Sequence, residues 1–458
     1  MKKISFDQIN KVINLSLPMA GSRLLQMLGG FFGTMMAAHL GKTVLAACAL
    51  IGATMSTIWL IFISIVFSLS MVVGQAYGAK KYAEIGAIVQ QGILLSLLLS
   101  MPLLFLFWFS SDIVQLFHQS AIMVHYVKIY SHAAMWGATS IMLQACMQQF
   151  CYGVLKQKLV IWINFFLLII IVFLSYIFIF GKWGFPSFGI AGLAYAFAIQ
   201  STIGFLLIII ICFFSNDFKQ YQLFKKHTHK NLLHLKQIFQ IGWPMSVQFG
   251  GELLAFFVLT MMIGWLGVNA LAATQITQQW LLLIIVPIFA MSEAGGILVG
   301  HAVGAKQCYA LNSIGNSSIL FSTSIIFLLG IFFSIFPNFF AQFYIDIHNP
   351  SNFIILKLTH GLFILLAITL LISAVRDILT GLLRGLFDTQ FAMRLGLIIM
   401  WFLVVPLGYF IGFTLHFGVI GFRIGGNIGL LVGALIIYYR WAKKVRYTRA
   451  LALKQDVF

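Results

Sequence analysis

The sequence predicts an all-α integral membrane protein, with twelve transmembrane helices in two six-helix halves related as a parallel repeat. Three observations predict it. Of 458 residues, 61% are hydrophobic and only 8% are charged, far outside the range of soluble globular domains. The apolar residues fall into about a dozen runs long enough to cross a bilayer. The phrase VVGQAYGAKK at 72–81 also returns as LVGHAVGAKQ at 298–307.

Taken in order, the spans are expected near 14–38, 48–74, 86–109, 125–152, 159–180 and 188–214 in the first half. In the second they are expected near 238–264, 272–299, 311–336, 357–383, 391–413 and 417–439. Several are longer than a bilayer is thick, which predicts tilt, bends or protruding ends. An outer-membrane barrel would show alternating segments of about ten residues, and the chain has none. The opening MKK and apolar run lack the small-residue cleavage site of a secretory signal, and their pattern recurs in the second half. Met1–Gly41 therefore belongs to the fold.

The formal charge of +18 would point to nucleic acid in a soluble protein, but its distribution points elsewhere. Alternate loops collect the basic residues: Lys80 and Lys81, Lys156 and Lys158, then Lys219, Lys225, Lys226, Lys230 and Lys236 of a central linker. Lys306, Arg384, Arg394 and a tail from Arg440 to Lys454 follow. The opposite loops hold only Lys42 and Lys182, with Lys128 and Lys357 just inside neighbouring spans. The positive-inside rule then puts both termini and the linker in the cytoplasm. Anionic lipid, not nucleic acid, is the partner such a surface predicts. The five cysteines form no CxxC and no metal-ligand spacing, so they read as packing residues.

The repeat fixes the domain expectation. Residues 11–80 overlay 237–306 without a gap, matching Pro18-Met19 to Pro244-Met245 and Leu40-Gly41 to Leu266-Gly267. Gly74, Ala76, Gly78, Ala79 and Lys80 meet Gly300, Ala302, Gly304, Ala305 and Lys306. Further on, GVLK at 153–156 is set against GLLR at 381–384, and FGIAG at 188–192 against FGVIG at 417–421. Six is even, so both halves enter from the same side. The expected units are 1–214, a basic linker at 215–237, and 238–458. A phosphate loop would need GxxxxGK and then Ser or Thr between strand and helix. Here alanine follows the second glycine and both copies close a membrane helix, so no nucleotide reading survives.

The ordered set LSLPMAGS, HLG, LAACAL and VVGQAYGAK, then IGWPMS, GELL, WLGVNALAATQITQQ, VGHAVGAK and GLLRGLFDTQ, resembles the multidrug and toxic compound extrusion (MATE) family in its bacterial branch. The resemblance spans essentially the whole chain. It implies a V-shaped pair of bundles around a central cavity, in the bacterial inner membrane. It also implies antiport of organic, cationic or amphiphilic drugs against Na⁺ or H⁺, by a monomer with no other cofactor. A related-fold flippase for lipid-linked oligosaccharides is the alternative, with Arg23, Lys128, Arg376 and Arg423 as candidates to meet pyrophosphate. An embedded enzyme would need a convergent nucleophile, His pair or metal cluster, and none is visible.

Ionisable residues at bilayer depth are functional candidates by default. Three acids fall within spans: Glu252, Glu293 and Asp377. The resemblance places the family's coupling acid at Glu252 in FGGELL. A desolvated carboxyl can hold a proton, and an ionised one can ligate Na⁺; the bland reading is a protonated structural acid. Asp377 lies one turn beyond Ser373, where the bacterial pattern has its acid. It is read as helping Glu252, or else as pairing with an Arg of another span such as Arg23 or Arg423. Arg376, its neighbour, is expected to point elsewhere around the helix. Glu293 follows Pro287 and suits bonding or cavity lining better than coupling.

The first half departs from the pattern. Where the resemblance implies an acid in span one this sequence has Gly33, and the counterpart of Glu252 is Gln26. Any coupling ion is therefore expected in the second half. Gln275 and Gln279, with Gln278 beside them, are expected to line the cavity or to bond between helices. His132 and His360 read as packed or hydrogen-bonded. His227, His229 and His234 read as part of a solvated basic segment.

Overall fold

The computed structural model describes residues 6–225, 232–347 and 349–455. Lys2, Lys3, Lys226, His227, His229, Lys230 and Asp456 lie outside the described residues. Among the described residues the chain is helical apart from turns and short loops, with no strand. In order the helices are α1 (Phe6–Ala38), α2 (Lys42–Gly78), α3 (Tyr82–Trp108), α4 (Ser110–Leu116), α5 (Ala121–Gly153), α6 (Gln157–Phe180), α7 (Ile190–Phe214) and α8 (Asn216–Lys219). They continue as α9 (Leu233–Gly264), α10 (Val268–Gly304), α11 (Leu311–Ile335), α12 (Pro337–Ala341), α13 (Phe353–Gly385), α14 (Thr389–Ile399), α15 (Val405–Tyr409) and α16 (Gly418–Gln455).

Ten of the described helical stretches are long and apolar enough to cross a membrane. The other two of the expected twelve are α1 and α5, each 33 residues long. They are less apolar because they carry polar groups into protein contacts: Ser16 and Ser22 on α1, and Gln144, Gln148 and Gln149 on α5, are buried. The eleventh span runs from Thr389 to Thr414. Two wide π-helical stretches, Met400–Val404 and Phe410–Thr414, bracket α15. Pro406 lies between them and has no N–H to give, a frequent cause of such irregular turns. Short α4 and α12 follow α3 and α11, so the repeat extends to elements too small to register as spans.

Two compact units result, one comprising 21–246 and the other 1–20 with 247–458. In the first, α2 packs on α3 and α5, and α5 on α7; in the second, α10 packs on α13, and α13 on α11 and α16. The linker does not hang free in its described part. The main chain at Tyr221 and Gln222 lies against Gly86, which a Cβ would block, and Gln90 Nε2 donates to the carbonyls of Leu223 and Lys225, both at 2.8 Å. His234 Nε2 stands 3.8 Å from Glu84, so this linker histidine packs on α3.

The repeated phrase ends its helix by the same device in both copies. Lys80 and Lys306 adopt left-handed φ of 57° and 58°. Behind them, the N–H groups of Lys81 and Gln307 reach back to the carbonyls of Ala76 (3.0 Å) and Ala302 (2.8 Å). This is a Schellman stop, here with lysine where glycine is usual. α5 and α13 end likewise, with Leu155 and Phe387 left-handed and bonds from Lys156 to Cys151 (2.8 Å) and from Asp388 to Leu383 (3.0 Å).

Those stops correct the register of the repeat in this region. Leu155 corresponds to Phe387, and Gly153 to Gly385 rather than to Gly381. A Cβ on Gly153 would press on the carbonyl of Ser70, and one on Gly385 on that of Gly296; Ser70 and Gly296 are themselves 226 apart. GVLK against GLLR is thus one helical turn out of step. The sequence match followed small and apolar residues that recur every turn, whereas the structure follows the close approach to a carbonyl.

Candidate functional site

In the second unit, α9 brings Gln248 and Glu252 onto one face, one turn apart. Gln248 Nε2 donates to Glu252 Oε1 at 3.0 Å. α13 supplies the other half. Arg376 Nη2 stands 3.4 Å from Glu252 Oε2, and Arg376 Nε donates to Asp377 Oδ1 at 2.9 Å. Two turns on, Arg384 Nη2 donates to Gln248 Oε1 at 3.1 Å, and its guanidinium lies over the Phe249 ring, 5.4 Å from the centroid. The side chains of Arg376 and Glu252 are each 12% exposed and that of Asp377 19%; Arg384 is buried. Glu293 of α10, also buried, acts on Arg384 through its charge.

The backbone explains how these groups come together. Gly381 admits the Ser292 carbonyl of α10 where a Cβ would collide, and the Ser292 hydroxyl donates to the Asp377 carbonyl. On the far side, Gly396 leaves room for Gln248 and Glu252, and Trp401 Nε1 holds the Gly251 carbonyl at 3.2 Å. A cavity of about 10 Å³ is lined by Gln248, Arg376, Thr380 and Gly396 among others, room for about one water.

Glu252 and Asp377 are therefore joined, through an arginine. Asp377 pairs with Arg376, not with Arg23 or Arg423, which corrects the expectation that Arg376 points away. Successive helical residues do diverge by about 100°, but the long arginine side chain folds back to its neighbour. Ser373 is buried one turn earlier and contributes no hydrogen bond to the group. Gln275 and Gln279 are exposed and likewise contribute none. Arg423 stands apart, with Nη2 3.5 Å from Thr277 Oγ1. His132 stacks on Trp108 at 4.8 Å, and His360 bonds to Asn338 at 2.6 Å. Among the described residues no group of three or more His, Cys, Asp or Glu could hold a metal ion.

The first unit builds the same node without charge. Gln26 Nε2 donates to Gln148 Oε1 and Gln148 Nε2 to Asn164 Oδ1, both at 3.0 Å. Ser22 Oγ receives Tyr152 at 3.0 Å and also accepts from Asn164. In the corrected register Ser22 answers Gln248, Gln26 answers Glu252, Tyr152 answers Arg384 and Asn164 answers Gly396. The Tyr152–Ser22 bond and the Arg384–Gln248 bond are thus one contact made twice. Sequence reading missed Gln248 and Arg384 because one is uncharged and the other was assigned to a loop. Arg384, eight residues from Arg376 on the same helix face, was the available signal.

The fold and both nodes can now be set beside known proteins. The MatE family model matches residues 18–177 and 244–410. The chain belongs to the MatE family. It is 26% identical over 95% of its length to a probable multidrug resistance protein NorM of Synechococcus, covering 94% of that protein. With a multidrug resistance protein NorM of Vibrio vulnificus it shares 27% identity over 94% of this chain and 95% of the other. A solved MATE structure in the bent conformation superposes with a TM-score of 0.87 over 98% of this chain and 97% of that one, at 19% identity. That likeness shows the fold. This MatE protein is accordingly a multi-pass membrane transporter and not an enzyme.

Proposed function

We propose that this protein is a secondary active exporter of small organic, cationic or amphiphilic compounds, working by alternating access against a gradient of H⁺ or Na⁺. One observation carries the coupling: the three carboxyls placed within spans belong to one unit, and Glu252 and Asp377 meet at Arg376. The matching node of the other unit is built from Gln26, Gln148, Asn164 and Tyr152, none of which titrates as a carboxyl does. Coupling requires that ion and substrate prefer different states or compete for shared groups, and only the second node has a charge to change. The drug-resistance relatives support the substrate class. Residues 1–214 and 238–458 serve as the two repeats, with both termini and the linker on the cytoplasmic side of the bacterial inner membrane, and a monomer suffices. Gln275 and Gln279, exposed on α10, are the polar groups proposed to meet substrate.

The flippase alternative has no observation in its favour. Of its candidate phosphate ligands, Arg376 is engaged by Glu252 and Asp377, and Arg23 lies over Phe67 at 4.5 Å. The deciding experiment is efflux of a fluorescent organic cation from proteoliposomes under separately imposed H⁺ and Na⁺ gradients. A response to either gradient supports coupled export; equilibration indifferent to both would sink it.

A further inference from the structure

We infer that Arg376 is the resident cation of the Glu252 node and bars an alkali-metal ion from it. The inference rests on the coupled export proposed above and narrows the choice of ion. A hard cation such as Na⁺ needs several oxygen ligands gathered around one point. Three of the four oxygens of the two carboxylates that would supply them are already engaged. Glu252 Oε1 accepts from Gln248 at 3.0 Å and Oε2 faces Arg376 at 3.4 Å, while Asp377 Oδ1 accepts from Arg376 at 2.9 Å. The guanidinium stands between the two carboxylates, where a metal ion would have to stand. It is tethered, permanently charged and unable to lose its proton in a protein.

The space beside the node is small. The adjoining cavity holds about 10 Å³, so a sodium ion could bring about one water at most. Gln248, a neutral oxygen donor lining that cavity, already accepts from Arg384 at 3.1 Å, a second fixed positive charge next to the same node. α10 contributes Glu293, which is buried and acts on Arg384 through its charge. α14 contributes Gly396 at this point, and its Arg394 is exposed. Two guanidiniums thus already supply the positive charge that these groups would otherwise take from a metal ion. The first unit makes the contrast: in the corrected register Arg376 answers Gln144, and the corresponding node has no fixed cation. Arg376 is therefore a specificity-determining residue that acts by exclusion.

The test is a melting-temperature titration of the purified full-length protein with NaCl, choline chloride keeping the ionic strength constant. The wild type should melt at the same temperature in both salts. Arg376→Gln, which frees the Glu252 and Asp377 oxygens, should gain a saturable, sodium-specific rise of a few degrees, and Arg376→Gln with Glu252→Gln should lose it again. A saturable sodium-specific rise in the wild type that Glu252→Gln abolishes would overturn the inference. So would an Arg376→Gln protein that stays blind to sodium. If Arg376→Gln does not fold, Arg376→Met takes its place, and the wild-type titration still judges the exclusion. The proteoliposome assay separates the two levels: no response to either gradient would defeat coupled export, while sodium binding to the wild type would defeat only the role given to Arg376.

Discussion

Glu252→Gln should abolish the dependence of transport on the driving ion while leaving the fold nearly intact. The group contains three carboxyls, Glu252, Asp377 and Glu293, and two guanidiniums, Arg376 and Arg384. Removing one negative charge leaves two of each sign, so no guanidinium loses its last partner: Arg376 keeps Asp377 at 2.9 Å. What disappears is the 3.4 Å contact to Arg376, a long ionic hydrogen bond worth about 1–2 kcal/mol. Arg376→Gln is different, because three carboxyls would then face one guanidinium. Breaking a buried pair from that side costs about 3–5 kcal/mol unless a carboxyl takes up a proton. At matched expression, Glu252→Gln should therefore melt close to wild type and Arg376→Gln well below it. In proteoliposomes Glu252→Gln should move substrate at the same rate with and without an ion gradient. Gradient-driven accumulation at the wild-type level by correctly inserted Glu252→Gln would refute the reasoning.

Gln26→Ala and Gly33→Ala should keep the ion dependence, since neither residue titrates. The first loses the 3.0 Å bond to Gln148, and the second pushes a methyl at the flexible end of Leu193; loss of coupling in Gln26→Ala but not in Glu252→Gln would reverse the assignment of the two units. Gly385→Ala drives a Cβ into the Gly296 carbonyl, overpacking worth about 1–3 kcal/mol, and should lower the melting temperature by several degrees; Gly41→Ala would instead test a positive φ of 125° in open space. Cysteine at position 225 should react with an impermeant maleimide only from the cytoplasmic face, and cysteine at 182 only from the other. The five native thiols are buried, so background should be low, and the opposite pattern would invert the topology.

The fold was legible because membrane helices are announced by length and apolarity, and because Pro, Gly and Lys kept register across a repeat. Even α1 and α5, whose buried serines and glutamines lower their hydropathy, still read as apolar runs near 14–38 and 125–152. The π-helical turns around Pro406 were not legible: a wide turn changes hydrogen-bond partners without changing composition. Glu252 and Asp377 could be named because acids are rare at bilayer depth. Their connection could not be, since it depends on how one flexible arginine folds, and angular spacing on a helical wheel describes Cβ directions rather than where a guanidinium ends. Arg384 was lost for a related reason. Its counterpart Tyr152 is uncharged, so the equivalence shows only once Gly153 and Gly385 are placed by the carbonyls they touch.

The Schellman stops at Lys80 and Lys306 also bear on how the protein meets its lipid. α2 and α10 contain 37 residues each, about 55 Å of helix at 1.5 Å per residue. Their last turns are locked by the bonds from Lys81 to Ala76 and from Gln307 to Ala302. A helix end tied in this way cannot shorten by fraying when the hydrocarbon layer thins. Mismatch must then be taken up by the surrounding acyl chains, at fractions of a kcal/mol per Å. Export rate in vesicles of graded acyl length should accordingly pass through a maximum, set by the lipid and not by the ion.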